Sequence, residues 1–359
     1  MNPNTIPRRT LLKNLSLAAL ASSGLPSFAQ EETSATPGMI LGLDAHAVRG
    51  MKWKAIPLIN YAAELKLDAV LLNGFHYFDR LDEAHLKEIR AVADSKGIQI
   101  RIGAGGISQG ASSFKPTYGS PEDAMIEGIR VALALGSPTV NCRIGSIQDR
   151  YSPGGIQARI AEAVTTLKAI KTRAQDAGLK FAFENHAGDT RSEEVLELIE
   201  AAGTDWCGVM LDPGNAVWAM EDPMEQLQKL GPHVLCTSVR DYTVWTSEDG
   251  AMFQWTAIGE GQMDVPAYTK RFKELCPGIP FFVETISNEA RPIPFLTEEF
   301  IAGFPNLKVT DISPFLRLSR RGSPPPILKA PEGTDAKAFD QQLQKTELEK
   351  SIATLRNHT

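Results

Sequence analysis

From residue 39 to about residue 290 the chain repeats one pattern, a short unbroken apolar run followed by a longer stretch with helical spacing. Met39-Ile40-Leu41-Gly42-Leu43 is the first run, with a helix expected over about 54–66. Asp68 to Leu72 is the second, with a helix over about 83–96, and Ile98 to Ile102 is the third. Ser120-Pro121-Glu122-Asp123 then has the chemistry of a helix start, a capping serine before a proline in the first turn. Thr139 to Arg143 is the fourth run, with a long helix over about 155–177, and Lys180 to Phe183 is the fifth, with a helix near 192–202. Gly208 to Leu211 is the sixth; Asp222-Pro223-Met224-Glu225 after it has capping-box spacing. Val234 to Val239 and Pro280 to Val283 are the seventh and eighth, with a helix near 266–275 between them.

Apolar runs without polar alternation suit strands covered on both faces. Eight of them, separated by mostly helical connections over about 250 residues, predict a (β/α)8 TIM barrel. An open doubly wound sheet usually carries a glycine-rich first turn, and Asp44-Ala45-His46 after the first run is not one. Beyond 290 the pattern changes. Ser323-Pro324-Pro325-Pro326 is a stiff spacer, and a helix is expected over about 335–355 with Phe339, Leu343, Leu348, Ile352 and Leu355 roughly on one side. That helix packs on its own barrel or on a second subunit, and its own barrel is the simpler partner.

Composition narrows the function classes. With 43% hydrophobic and 22% charged residues the chain is not a disordered one, and no run approaches the ~18 apolar residues of a membrane span. The net charge of −6 speaks against a broad basic face for nucleic acid. That charge is unevenly placed: residues 1–29 carry Arg8, Arg9 and Lys13 and no acid, which leaves −9 on the rest. Pro7-Arg8-Arg9-Thr10-Leu11-Leu12-Lys13, a mild apolar run from Leu15 to Leu25 and Ser27-Phe28-Ala29 resemble, in that order, a twin-arginine export signal. The resemblance implies a protein that folds in the cytoplasm and works in the periplasm or outside the cytoplasm, with no stable membrane anchor once the signal is cleaved. The expected organisation is a signal over 1–29, a linker over 30–38, a catalytic barrel over 39–290 and a C-terminal extension over 291–359. Cys142, Cys207, Cys236 and Cys276 match no zinc spacing and read as buried thiols.

In a barrel the C-terminal ends of the strands meet at one mouth. There the chain places Asp44 and His46, Asn73 and His76, Asn141 and Arg143, Glu184-Asn185-His186, Asp212-Pro213-Gly214-Asn215, Ser238-Val239-Arg240-Asp241 and Glu284-Thr285. Three converging carboxylates stay ionised only with positive charge between them. One divalent ion with oxygen ligands, Mg²⁺ or Mn²⁺, is the simplest answer, and pairing to Arg240 is the competing one.

Phe183-Glu184-Asn185-His186, Leu211-Asp212-Pro213-Gly214-Asn215, Val239-Arg240-Asp241, Gly259-Glu260-Gly261 and Val283-Glu284, in this order, resemble the xylose-isomerase-like TIM-barrel superfamily, in particular its sugar phosphate isomerase/epimerase group. The resemblance covers roughly residues 39–290. It implies metal ligands at Glu184, Asp212 and Glu284, with the two glutamates also acting as acid and base. His186 and Arg240 are implied substrate contacts, and His46 and His76 are further candidates at the strand ends. The family's fourth ligand is a histidine three positions before the strand-seven aspartate, and here that position is Ser238. A loop at Gly259-Glu260-Gly261 closes near the substrate in relatives, whereas Asp264 and Pro266 are accounted for as a helix start. Trp218, Trp245 and Trp255 either stack on a sugar face or fill space under the loops.

These features point to an exported isomerase or epimerase that abstracts a proton next to a carbonyl of an unphosphorylated or oxidised sugar or a polyol, with metal assistance. A lyase or dehydratase on a keto-sugar or keto-glycoside shares the first step. A non-catalytic sugar-binding barrel without its metal is the reading that Ser238 favours. An endonuclease of the related barrel branch fits poorly, because the chain has 6 histidines in all and no basic face. The expected partner is a small carbohydrate, with a homo-oligomer through the C-terminal extension as a second expectation.

Overall fold

The structure, a computed structural model, describes residues 38–358. The expected export signal and most of the expected linker therefore lie outside the described residues, which form one compact unit. Seven strands come first in the chain: β1 (Leu41–Asp44), β2 (Ala69–Leu72), β3 (Gln99–Gly106), β4 (Thr139–Arg143), β5 (Lys180–Glu184), β6 (Cys207–Leu211) and β7 (Val234–Thr237). A hairpin of β8 (Asp241–Ser247) and β9 (Gly250–Thr256) follows, and then β10 (Phe281–Val283) and β11 (Ala290–Ile293). β1 to β7 pair in chain order, all parallel, and β10 pairs in parallel with β1, with Leu43 opposite Val283. The eight barrel strands of the sequence pattern are thus β1–β7 and β10, with helices between them as expected.

The seam between β7 and β10 is closed by side chains and by the residues just past β7. The Thr237 hydroxyl donates to the Pro280 carbonyl at 2.9 Å and accepts the Phe282 N–H at 2.9 Å. Two residues on, Val239 bridges Val283, and the Glu284 N–H reaches the Val239 carbonyl at 2.9 Å. This closure sets Ser238, Arg240 and Glu284 side by side. Strand seven ends as a ladder at Thr237, two residues earlier than the apolar run predicts, because the threonine hydroxyl takes over the bonding.

Residues facing the helices form one large core, and those on the alternate positions fill the barrel itself: Leu71, Ala182, Met210, Cys236 and Phe282. Gly42 admits the Phe282 ring, since a Cβ there would stand 2.3 Å from Cδ1 of that ring. The four cysteines are free and buried. Capping follows the sequence: Ser120 and Asp123 form a capping box, and Asp222 and Asp264 accept first-turn N–H groups.

One feature, a second sheet, differs from the eight-repeat pattern. After β7 the chain forms an antiparallel sheet, ordered β11-β9-β8. Its local signal is legible: an apolar-polar alternation on each side of Glu248-Asp249-Gly250, a turn sequence that joins antiparallel strands. β11 lies in the stretch read as barrel end and extension, and it pairs with β9 because its Ile293 and the Ala251 opposite are both buried. The C-terminal helix, Ala336–Arg356, packs on its own barrel, as the simpler reading had it. Leu348, Ile352 and Leu355 are buried, and Gln344 accepts the Gly50 N–H at 2.8 Å.

Candidate active site

The C-terminal strand ends converge as barrel geometry requires. Asp212 follows β6 and caps the short helix Pro213–Trp218: one carboxylate oxygen accepts the Asn215 N–H at 3.0 Å, and the other accepts the Asn215 side-chain amide at 2.7 Å. Asn185, after β5, locks the neighbouring strand end to it, donating to the Asp212 carbonyl at 2.8 Å and accepting the Asp212 N–H at 3.0 Å. The Glu-Asn and Asp-Pro-Gly-Asn elements are therefore one bonded unit in space.

Between Asp212 and Glu284 lies the Arg240 guanidinium. Its Nη2 pairs with both carboxylates, and all three side chains are buried. Buried charges of this kind persist only when each is paired and hydrogen-bonded. Arg240 is placed from two sides. Its Cζ sits 4.1 Å from the centroid of the Trp255 ring, whose indole N–H is fixed by the Gly214 carbonyl at 2.7 Å. Its stem runs over Gly214, where a Cβ would stand 2.3 Å from Cγ and 2.6 Å from Cδ. That contact explains the glycine in Asp-Pro-Gly-Asn. Gly214→Ala is expected to cost about 1–3 kcal/mol of stability by overpacking. Urea unfolding checks it, and an alanine variant as stable as the parent would mean the guanidinium stem moves aside freely.

Ser238 Oγ lies 2.6 Å from a Glu284 oxygen and 3.0 Å from an Asp44 oxygen. A hydroxyl has one proton, so it can donate to only one of them. The other contact is satisfied when Asp44 carries a proton and donates to Ser238. Burial, and then the Glu284 charge, push the Asp44 carboxyl well above its usual value, which agrees with that arrangement. Burial alone would raise Glu284 too, but Arg240 beside it brings its carboxyl below the usual value, with His46 and Ser238 also acting in that direction. His46 is itself driven down to about 4 by burial, so near neutral pH it is uncharged and Arg240 and Ser238 carry the effect. Glu284 is thus an ionised carboxylate.

Glu184 is the opposite case. It is buried at the end of β5, and its nearest hydrogen-bond donor is the Asn73 amide at 3.4 Å. Burial pushes its carboxyl well above the usual value, against the pull of Arg143. His186 is lowered to about 3, by burial first and then by Arg143. Its Nδ1 lies against the Gly145 carbonyl, so Nδ1 carries the proton and Nε2 is a free acceptor. His76 is lowered by burial, Lys54 and Arg143.

A cavity of about 410 Å³ opens over this floor. Glu184, Glu284, His46, His76, His186 and Arg240, six of the side chains singled out from the sequence, all line it. Asp212 and Ser238 do not; they lie beneath the floor and act through Arg240 and Glu284. Arg49, Arg143, Asn73, Asn215, Trp255, Glu289 and Arg291 complete the polar and aromatic wall. Asn73 and Arg143 were visible as strand-end residues, whereas Arg291 had no local signal, since it reaches the cavity only through the pairing of β11 with β9. Trp255 is a wall residue and Trp218 packs behind it, with ring centroids 5.7 Å apart. The Gly259-Glu260-Gly261 loop is not in the wall. Asp241 clasps it, accepting N–H groups from Gly259, Gly261, Met263 and Tyr242 at 2.7–3.1 Å, and Glu260 turns away to Lys350.

The divalent ion expected between the carboxylates does not fit these residues. The guanidinium of Arg240 already stands between Asp212 and Glu284 and pairs with both. The Ser238 hydroxyl, at the position of the implied fourth ligand, is engaged by Asp44 and Glu284. Among the described residues no group of three or more His, Cys, Asp or Glu is arranged to hold an ion.

Comparison with known proteins agrees with the fold. Residues 59–302 match the family described as xylose isomerase-like TIM barrel. Protein YihM of Escherichia coli, itself uncharacterized, is 23% identical over 151 residues, 42% of this chain and 44% of YihM, so the chain spans less than half of that relative. The 3-oxo-isoapionate decarboxylase of Pectobacterium atrosepticum is 21% identical over 238 residues, 64% of this chain and 79% of the decarboxylase. Among solved structures, D-psicose 3-epimerase in the presence of D-fructose superposes with a TM-score of 0.56 at 17% identity, over 88% of this chain and 99% of the epimerase. The IOLI protein with a bound zinc atom gives 0.54 at 13% identity, over the same shares of 88% and 99%. At such identities the two structures speak for the fold alone. The named relatives include enzymes of two kinds, an epimerase and a decarboxylase.

Proposed function

The chain belongs to the xylose isomerase-like TIM-barrel family, and from that premise we propose that it is an enzyme that isomerises or epimerises a sugar or polyol by moving a proton next to a carbonyl. The observation that carries this reading is the pair of carboxyl groups, Glu184 and Glu284, that face one cavity from environments of opposite effect. One carboxyl held ionised and one pushed towards its neutral form are the acid and base of a proton-transfer site.

In this mechanism Glu284 takes the proton from the carbon next to the carbonyl, and the electron pair left behind moves onto the carbonyl oxygen. Glu184 returns a proton. Delivery to the same carbon from the other face inverts that centre; delivery to the former carbonyl carbon, with the proton of the adjacent hydroxyl passing to the enolate oxygen, moves the carbonyl. The enolate charge develops in the positive field of Arg240, which supplies charge where a divalent ion was expected. Mg²⁺ or Mn²⁺ has no part in the steps, because the residues present do not accommodate it. His46, His76 and His186 are neutral near pH 7 and suit hydroxyl groups as hydrogen-bond partners.

A second reading is supported by the decarboxylase relative: after the same first step, or in its place, a group leaves the substrate. Export by the twin-arginine route, with work outside the cytoplasm, is part of the proposal and rests on Arg8, Arg9 and the apolar run after them. The test is a panel of keto-sugars and sugar acids incubated with the protein in deuterated water and followed by NMR. Deuterium is expected to enter next to the carbonyl without loss of a group. Loss of a group favours the lyase, and binding with no exchange and no product means a sugar-binding barrel.

A further inference from the structure

Four guanidinium groups line the cavity, from Arg49, Arg143, Arg240 and Arg291, against three carboxyl groups, from Glu184, Glu284 and Glu289. Two of the four are already paired. Arg240 holds Glu284 and Asp212, and Arg291 holds Glu289 at 2.6 Å while its Cζ lies 4.5 Å from the centroid of Trp255. The remaining carboxyl, Glu184, accepts from the Asn73 amide at 3.4 Å and is in no ion pair with a guanidinium among the described residues. Arg49 and Arg143 are the two that hold no carboxylate in an ion pair. Among the described residues neither side chain makes a hydrogen bond or an ion pair, and Nη1 of Arg49 is buried without any partner.

An unsatisfied buried donor costs about 1–3 kcal/mol, and more when it is charged. A donor of this kind that belongs to a cavity wall can take its partner from a ligand in the cavity. The rest of the wall is uncharged and polar: the amides of Asn73 and Asn215 and the imidazoles of His46, His76 and His186. Guanidinium forks match the planar oxygens of a carboxylate or the oxygens of a phosphate, whereas amides and neutral imidazoles match hydroxyls. From this division of the wall we infer that the substrate is a sugar carrying an anionic group, carboxylate or phosphate, which Arg49 and Arg143 bind while the neutral residues hold its hydroxyls. The inference rests on the cavity being the substrate site of the proposed enzyme, and it adds the class of substrate.

Calorimetric titration of the whole protein with D-glucuronate, D-glucose 6-phosphate and D-glucose tests it without any turnover. At least one of the two anions is expected to bind saturably in the millimolar range or better, and at least about tenfold more tightly than glucose, a difference of 1.4 kcal/mol. Which anion it is separates a sugar acid from a sugar phosphate. Arg49→Gln and Arg143→Gln are each expected to remove that preference, and Arg143→Lys to restore part of it. Thermal unfolding of Arg49→Gln should match or exceed that of the parent, because the change removes a half-buried guanidinium that has a buried nitrogen without a partner. No saturable binding of either anion, glucose binding as tightly as the anions, or an undiminished preference in both glutamine variants overturns the inference. Anion binding without deuterium exchange leaves it standing and defeats the isomerase reading. Exchange on neutral sugars alone does the reverse.

Discussion

Arg240→Met is expected to lower the free energy of unfolding by about 3–5 kcal/mol near pH 7, the cost of leaving buried carboxylates without their cation. The two carboxylates are Asp212 and Glu284, both in contact with the guanidinium and both buried. The loss should depend on pH in a definite direction. In the parent protein the Glu284 carboxyl is held below its usual value, so the stability it contributes is complete above its unfolded value of about 4.3 and is lost as pH falls through the folded value. In the variant Arg240 no longer opposes burial, so the Glu284 carboxyl moves up, the Asp212 carboxyl, which burial already raises to about 6 in the parent, moves further up, and stability falls as pH rises through that range. The difference between parent and variant is therefore small at pH 4 and large at pH 7, and urea unfolding at the two values reads it. A loss below about 1 kcal/mol at pH 7, the size of a solvated pair, would contradict the buried arrangement. The same residue decides the metal question. The parent is expected to carry no stoichiometric Mg²⁺, Mn²⁺ or Zn²⁺ by elemental analysis and to show no thermal shift on titration with them. Ser238→His combined with Arg240→Met restores an imidazole and removes the guanidinium, and is expected to gain divalent-ion binding. A stoichiometric ion on the parent protein would overturn the view that Arg240 stands in its place.

The second large effect is on turnover. Glu184→Gln and Glu284→Gln are each expected to slow deuterium exchange on a responsive substrate by about 10²–10⁴-fold, the contribution of a positioned acid or base. Their effects on stability should differ. Glu184 already tends to the neutral form, so an amide of the same shape replaces it with little change. Glu284→Gln takes one partner from Arg240 and the charged acceptor from Ser238, and is expected to cost about 1.5–3 kcal/mol, the range for hydrogen bonds to a charged group. Exchange rates and urea midpoints measured on the same preparations separate the two outcomes. Undiminished exchange in either variant removes that glutamate from the mechanism.

The barrel was readable because its signals are local. A run such as Ala69-Val70-Leu71-Leu72 is apolar on both faces only if both faces are covered, and Ser120-Pro121 starts a helix with its own atoms. The elements that escaped the repeat, β8, β9 and β11, form a sheet whose last strand is supplied by residues more than thirty positions beyond the hairpin turn.

For the site, the residue types and their order along the strands were enough to collect Glu184, Glu284, His46, His76, His186 and Arg240 at one mouth, because in a barrel the end of every strand faces the same cavity. How the charges are shared was decided only by the tertiary structure. Three converging acids require a positive charge, and the sequence offered two sources, a metal ion or Arg240. The choice depended on Gly214 leaving room for the arginine stem, on Trp255 lying under its guanidinium, and on Ser238 bonding Asp44 and Glu284 instead of presenting an imidazole. Those contacts join residues as far apart as Asp44 and Glu284, and electrostatic pairing acts through distance in space, which local sequence pattern does not record.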